Sequence, residues 1–209
     1  MADIRRTNPK KIKEMLINKG VRHINLITGG VPCQGFSIAN RKHNDYDERN
    51  FLFLEYMKFV NVFKPDYIIL ENVSGLRSTA GGQFEKDIKK HMESLGYVVT
   101  ISMVNAVEYG VPQQRQRLIF VGVKNDCTLT IPFEFPKGDF QTPDTYKTVE
   151  MALSDLPFLN NDEQKNSYDL LPQSEYQELL RGEGEIRIAK PLRLNNHIAP
   201  NYPPETIKK

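Results

Sequence analysis

The chain has 209 residues, of which 39% are hydrophobic and 26% are charged, and its formal net charge is +2. This length suits one domain, or one domain with part of a second, and no apolar run approaches the roughly 20 residues of a membrane-spanning helix. The charged N-terminus, MADIRRTNPKK, lacks the apolar core of a signal peptide. A cytoplasmic protein without membrane contact is therefore expected.

Cysteine and histidine usage argues against a metal site. Cys33 and Cys127 are far apart and fit no metal-ligand spacing, so free thiols are expected in a cytoplasmic chain. The four histidines are scattered along the sequence. Residues 1–50 contain ten Lys/Arg against five Asp/Glu. Such a surface can attract phosphates, although a Lys-rich helix face is more commonly only solvated.

The first elements in chain order are a helix, a strand and a polar segment. Asn8-Pro9 reads as an N-cap followed by proline at the first helical position, and Gly20 as a stop signal. The run INLITGG, residues 24–30, is typical of a buried strand. Residues 31–50 show no apolar periodicity, and a polar stretch of this length inside a domain favours a functional lid over residues 33–50.

Helices and strands continue to alternate up to residue 125. Residues 51–63 predict a buried helix and residues 67–73 a buried strand. An apolar face at 84, 88, 92 and 95 predicts a helix that ends at Gly96. Two further strands are predicted over residues 97–104 and 117–123.

This order predicts a doubly wound α/β sheet, mostly parallel with a final antiparallel strand pair. After Asn125 the composition becomes polar and rich in proline. Short helices are predicted there over residues 148–156 and 174–182.

Polar groups follow two of the predicted parallel strands. In doubly wound sheets catalytic groups lie beyond the carboxyl ends of the strands, where both Cys33 and Glu71 occur. Cys33 is a candidate nucleophile, and the alternative is a buried structural cysteine. Glu71 follows the apolar run YIIL, and partial burial would favour a protonated carboxyl that acts as a general acid. The alternative is a salt-bridged carboxylate that only ends the strand.

Two arginines alternate in VPQQRQRLIF. On an extended segment Arg115 and Arg117 point to one face, where two guanidinium groups suit a carbonyl oxygen or phosphates. The alternative is that the two charges only mark the start of a strand and prevent its exposed edge from pairing with another chain.

Together these stretches resemble the DNA cytosine-5 methyltransferase family of the bacterial modification type. The resemblance is carried by PCQGFS, ENV and QRQR in this order, by DERNFLFLEYM, by GYVVTISMVNAVEYGVPQQRQR and by KTVEMALSDLP. It implies a Rossmann-like methyltransferase sheet. Residues 1–125 would form the catalytic part, and residues 126–209 a connector with the start of the target recognition region.

The resemblance also implies a mechanism. Cys33 would attack C6 of a cytosine flipped out of double-stranded DNA, and C5 would then take a methyl group from S-adenosylmethionine. Glu71 would hold N3 and the exocyclic amine of the base. Arg117 would bind O2, and Arg115 would brace the closed lid or a phosphate.

Further contacts are implied at single positions. The implied DNA contacts are Gln34, Ser37, Arg41 and Arg49. The implied cofactor contacts are Asp3, Ile4, Pro32 and Leu52. The lid would close over DNA, exclude water and complete the site.

The sequence departs from the family pattern at both ends. The glycine-rich cofactor turn is not present, and most of the target recognition region is not present either. The strand at residues 24–30 is therefore expected to expose an unpaired, apolar edge. A complementary N-terminal or C-terminal fragment, or self-association, would be the partner. The recognition sequence is not readable.

Other functions remain open from the sequence alone. The chain could be an inactive fragment or a DNA-binding subunit of a split methyltransferase. It could also be a tRNA cytosine-5 methyltransferase, because the catalytic motifs would be the same. An unrelated thiol enzyme would need a second cysteine or a histidine near Cys33, and only His43, in the polar lid, is close in sequence.

Overall fold

The computed structural model describes residues 3–31, 52–126, 132–181 and 194–203 of the chain. Two compact units are present, one of residues 1–106 with 115–137 and one of residues 107–114 with 138–209. The functional division predicted after residue 125 remains a prediction.

The first unit contains a four-stranded sheet. Its strands are β1 (Leu26–Gly29), β2 (Tyr67–Val73), β3 (Tyr97–Asn105) and β4 (Gln116–Lys124), in the spatial order β1-β2-β4-β3. β1 and β2 are parallel, whereas β4 is antiparallel to both β2 and β3. β1, β2 and β3 therefore share one direction and β4 runs against them, which confirms the α/β sheet with a final antiparallel pair, although only the β1–β2 pairing is parallel.

Three helices accompany this sheet: α1 (Pro9–Asn18), α2 (Leu52–Phe63) and α3 (Gln83–Ser94). The predicted caps explain where α1 begins and ends. The Asn8 side chain accepts a hydrogen bond from the Lys10 backbone N–H, and Gly20 has a φ of +86°. Gly96 follows α3 with a φ of +91°, again as expected from a glycine stop.

The core of this unit lies where α2 and α3 pack with the sheet. Buried side chains alternate along β2, so Ile68, Leu70 and Asn72 are buried while the residues between them are partly exposed. The apolar core joins these strand residues to side chains of both helices, including Val60 and Met92. The alternation places Glu71 on the face of β2 opposite Leu70.

β1 is shorter than predicted. The prediction covered residues 24–30, but pairing extends only over Leu26–Gly29, opposite Tyr67–Leu70 of β2. Within the described residues β1 pairs with β2 alone and Leu26 is 47% exposed, as expected for an edge strand.

The described part of the second unit contains two short helices, α4 (Val149–Leu153) and α5 (Glu175–Leu180). Both begin one residue after a predicted start, because Thr148 and Ser174 act as N-caps rather than first helical residues. The Ser174 hydroxyl also donates to the Met151 carbonyl, which ties α5 to α4.

The described helices include none that is long and apolar enough to cross a membrane. Across the described ranges no cluster of three or more His, Cys, Asp or Glu side chains could hold a metal ion.

Candidate active site at the carboxyl end of the sheet

Two predicted site residues meet where β2 ends. Glu71 pairs with Ile119, and Val73 pairs with Arg117, in the antiparallel register of β2 and β4. Glu71 and Arg117 are therefore diagonal neighbours on one face of the sheet. Arg117 Nε lies 2.6 Å from Glu71 Oε1, so the two side chains form an ion pair.

Arg117 Nε and Glu71 Oε1 lie close together, but they do not form a well-aligned hydrogen bond. Arg117 Nε is buried and has no hydrogen-bond partner among the described residues, although it lies within ion-pair distance of Glu71. The close contact is therefore one of charge, in which the N–H is not aligned with the carboxylate oxygen. Arg117 Nη1 donates instead to the Gln116 carbonyl over 2.8 Å.

Glu71 is less buried than its apolar strand suggested. Its side chain is 41% exposed, whereas that of Arg117 is 24% exposed. The carboxyl group is therefore only partly buried, and it contacts a cation. The salt-bridged alternative describes the observed contact, but the partner cation is itself a predicted site residue.

Arg115 lies just before β4 with an exposed side chain. Its backbone N–H donates to Asn105 Oδ1 over 3.0 Å, and its carbonyl accepts from the Ala106 N–H over 3.0 Å. These two bonds hold the entry of β4 against the end of β3. The guanidinium group of Arg115 thus projects from a fixed backbone.

The chain leaves β1 directly beside Glu71. Gly29, the last residue of β1, is in register with Leu70. A Cβ atom built on Gly30 would lie 3.2 Å from Glu71 Oε2. The backbone of Gly30 therefore runs against the carboxylate, three residues before Cys33 in the sequence.

The other predicted site residues, those of the lid and the proline before it, lie outside the described residues. They are Pro32, Cys33, Gln34, Ser37, Arg41 and Arg49. Their roles stay predictions.

Three of the implied cofactor contacts can be located. The Asp3 carboxylate caps a short 3-10 turn and binds Arg5, with Nη2 at 2.7 Å, which lowers the pKa of Asp3 to about 2. Ile4 borders an apolar cavity of about 270 Å³, lined also by side chains of α1, β1 and α2. Leu52 is half-buried at the start of α2. Ile4 and Leu52 are apolar, whereas the Asp3 carboxylate already has a cationic partner. The cofactor contacts of these three residues remain predictions.

One structural residue of this region escaped the sequence-based predictions. Tyr56 of α2 is only 3% exposed, and its hydroxyl donates to the carbonyl oxygens of Ile27 in β1 and Ile69 in β2. The available signal was a tyrosine within an apolar helix, since a buried tyrosine hydroxyl needs a hydrogen-bond partner.

Comparison with known proteins agrees with this geometry. The sequence model of the family described as C-5 cytosine-specific DNA methylase matches residues 2–208. The chain therefore belongs to this family, which confirms the resemblance drawn from its motifs.

Two curated relatives are similar over most of this chain. The Type II methyltransferase M.DdeI of Desulfomicrobium norvegicum is 37% identical over 166 residues, which are 77% of this chain and 40% of that protein. The Type II methyltransferase M.AgeI of Thalassovita gelatinovora is 36% identical over 201 residues, or 86% of this chain and 46% of that protein. The chain thus spans less than half the length of these relatives.

Solved structures share the fold. The crystal structure of a DNA modification methyltransferase encoded within a prophage of E. coli has a TM-score of 0.64 and 25% identity, covering 90% of this chain and 52% of that one. The methyltransferase EhMeth of Entamoeba histolytica has a TM-score of 0.51 and 16% identity, over 79% of this chain and 47% of that one. The second similarity concerns the fold alone.

Proposed function

We propose that this chain is the catalytic segment of a DNA cytosine-5 methyltransferase that acts through a covalent adduct of Cys33. The observation that supports it most is the Glu71–Arg117 pair, which lies beside Gly30 on the path toward Cys33. A carboxyl group and a guanidinium group with an unused N–H offer the donors that a cytosine ring needs at N3 and O2.

The proposed reaction divides into addition, methylation and elimination. The Cys33 thiolate forms a bond to C6, while Glu71 donates a proton to N3 and Arg117 donates a hydrogen bond to O2. These contacts stabilise the charge that the addition moves into the ring. S-adenosylmethionine, the methyl donor that the family implies, supplies an electrophilic methyl group to C5 when it is bound. Loss of the C5 proton to a base, elimination of the Cys33 thiolate and return of the N3 proton to Glu71 then restore the aromatic ring.

The described pair suits the acid step in a specific way. Cytosine O2 would give Arg117 the acceptor that it lacks, and N3 would replace Arg117 as the neighbour of the Glu71 carboxyl. The base must leave the duplex to reach this edge of the sheet. Gln34 and Ser37 would contact the DNA backbone around the vacated base, Arg41 and Arg49 would bind phosphates, and Arg115 would brace the lid or a phosphate.

Cofactor binding is proposed at the same positions as in the sequence prediction. Ile4 and Leu52 would contact apolar parts of S-adenosylmethionine, together with Pro32. Asp3 would have to release Arg5 before its carboxylate could bind the cofactor.

Covalent trapping tests the proposal. The full chain is incubated with S-adenosylmethionine and a random-sequence duplex in which one strand carries 5-fluorocytosine, which blocks elimination. A protein–DNA adduct that survives denaturation is expected, because the fluorine cannot leave as the proton does. Cys33→Ser should abolish the adduct, whereas the matched variant Cys127→Ser should form it normally.

The outcomes separate the open alternatives. No adduct with the chain alone, but an adduct after addition of an N-terminal fragment of a relative, would identify a subunit of a split enzyme. An adduct with 5-fluorocytosine tRNA and none with DNA would identify an RNA substrate. An equal adduct with Cys33→Ser would contradict the mechanism.

A further inference from the structure

Tyr56 connects α2 to the two parallel strands at the point where β1 ends. Its hydroxyl lies 3.1 Å from the Ile27 carbonyl oxygen and 3.2 Å from that of Ile69. A single O–H is therefore shared between adjacent strands. Burial raises the pKa of the Tyr56 phenol, so the group stays protonated and remains a donor at neutral pH.

The ring of Tyr56 makes a second contact with β1. A Cβ atom at Gly29 would lie 2.7 Å from Tyr56 Cδ2 and 2.8 Å from Cε2, which is closer than any side chain tolerates. The aromatic ring thus lies on the bare backbone of Gly29. Ring and hydroxyl together hold β1 at two points, Gly29 and Ile27.

Gly30, the residue after Gly29, faces the other side of the strand. Successive residues of a strand face opposite sides. A Cβ atom at Gly29 would accordingly meet the Tyr56 ring, whereas one at Gly30 would lie 3.2 Å from Glu71 Oε2. Tyr56 and the Glu71 carboxylate therefore lie on opposite sides of the segment formed by Gly29 and Gly30.

We infer that Tyr56 is a positioning residue that fixes the carboxyl end of β1, so that the chain toward Cys33 departs beside Glu71. This inference rests on the proposed function, because that function requires Cys33 and Glu71 to act on the same base. Tyr56 does not touch the reacting atoms. It acts through Gly29 and Gly30.

The chain offers a matched control for this role. Tyr97 is also 3% exposed, and its hydroxyl also donates to a backbone carbonyl, that of Pro65, over 2.7 Å. Pro65 precedes the amino end of β2, away from Glu71. Tyr56→Phe and Tyr97→Phe each remove one buried hydroxyl, so both should lower the urea midpoint by similar amounts.

The first readout is covalent trapping on 5-fluorocytosine DNA. At saturating DNA, Tyr56→Phe should slow adduct formation about 10- to 100-fold, because a misplaced nucleophile reacts poorly. Tyr97→Phe should retain the wild-type rate within about two-fold, and both variants should keep the wild-type Kd for DNA. Equal rates in the two variants would overturn the positioning role.

The second readout does not depend on activity. Amide hydrogen exchange over residues 26–31 should be about ten-fold faster in Tyr56→Phe than in Tyr97→Phe, because only the first variant releases β1. Equal exchange would overturn the inference, whatever the trapping result. If the wild-type protein forms no adduct either alone or with an added N-terminal fragment of a relative, the proposed function fails, and the exchange comparison still decides whether Tyr56 holds the end of β1.

Discussion

Two carboxylate–arginine ion pairs, one in each unit, have almost the same nitrogen–oxygen distance but differ in burial and in hydrogen bonding. The Glu71–Arg117 pair measures 2.6 Å and the Asp155–Arg181 pair 2.7 Å. Asp155 and Arg181 are only 3% and 10% exposed, and Arg181 Nε also donates to Asp155 Oδ2.

The hydrogen bonds around Arg181 are extensive. Its Nη2 donates to the Leu170 carbonyl, and its guanidinium carbon lies 3.7 Å from the centre of the Tyr168 ring. Arg117, by contrast, keeps a buried Nε without a hydrogen-bond partner among the described residues.

The two pairs differ in burial and in hydrogen bonding, which agrees with the binding role proposed for the first pair and a structural role for the second. Removal of one partner of a saturated buried pair destabilises the fold, because the other charge is left buried without a counter-ion. Under the proposed function the Glu71–Arg117 pair is an open pair, which exchanges its mutual contact for contacts with the base. The following predictions test this contrast, from the largest expected effect to the smallest.

Glu71→Gln should have the largest effect. The amide cannot donate a proton to N3 as a carboxylic acid does, so the rate of adduct formation on 5-fluorocytosine DNA should fall about 10²- to 10⁴-fold. The free energy of unfolding should change by about 1 kcal/mol or less, since the pair is partly exposed. A variant that loses stability and keeps its trapping rate would show that Glu71 is structural.

Asp155→Ala should show the opposite pattern. Removal of this carboxylate leaves Arg181 buried without its counter-ion, which should cost about 3–5 kcal/mol of stability. Urea unfolding, monitored by hydrogen exchange over residues 148–181, measures this loss of stability. The matched variant Asp169→Ala breaks an exposed pair with Lys165 and should cost about 0–1 kcal/mol. Similar losses in the two variants would refute the contrast between saturated and open pairs.

Gly30→Ala should have a smaller, local effect at the open pair. Its methyl group would reach Glu71 Oε2 at 3.2 Å, so the carboxylate must shift by a few tenths of an ångström. Adduct formation should slow about ten-fold, with little change in the urea midpoint.

Gly122→Ala is the control for adding a methyl group to a strand. Its Cβ would lie 2.5 Å from Ile68 Cγ1 in the core, which should cost about 1–3 kcal/mol of stability. The folded fraction should still form adduct at the wild-type rate. A slower rate in this variant than in Gly30→Ala would argue that the site responds to any strain in the sheet.

Arg115→Ala should have the smallest effect. If Arg115 neutralises one phosphate, the slope of log K against log salt for a random-sequence duplex should decrease by about 1. Arg77→Ala is the matched control, because Arg77 already donates to Glu85 over 3.0 Å. An unchanged slope for Arg115→Ala would leave bracing of the lid as its role.

Much of the first unit could be predicted from sequence because its signals are local. The β2 prediction is confirmed residue for residue, since YIILENV is an apolar run bounded by Lys64-Pro65-Asp66 and by Ser74-Gly75. Asn8, Gly20 and Gly96 set helix ends through their own side chains or backbone angles. The family also followed from short motifs, because each candidate site residue lies within a contiguous stretch of characteristic sequence.

The second unit was harder to predict for a physical reason. α4 and α5 are too short to show a clear apolar period, and they are stabilised by contacts from other segments. Gln177, which is 1% exposed, donates to the Ser154 hydroxyl over 2.8 Å. No local pattern marks a glutamine as buried, so this contact was not foreseen.

The sequence by itself determined the α/β class, the places where the chain turns, and the residue types available for chemistry at each strand end. Tertiary structure alone decided that β4 enters between β2 and β3, and this antiparallel register brings Arg117 to Glu71. It also decided that Tyr56 reaches Gly29 and that Gly30 meets the carboxylate. Local signals act through neighbouring residues along the chain, whereas strand order and side-chain contacts depend on how distant segments share one core.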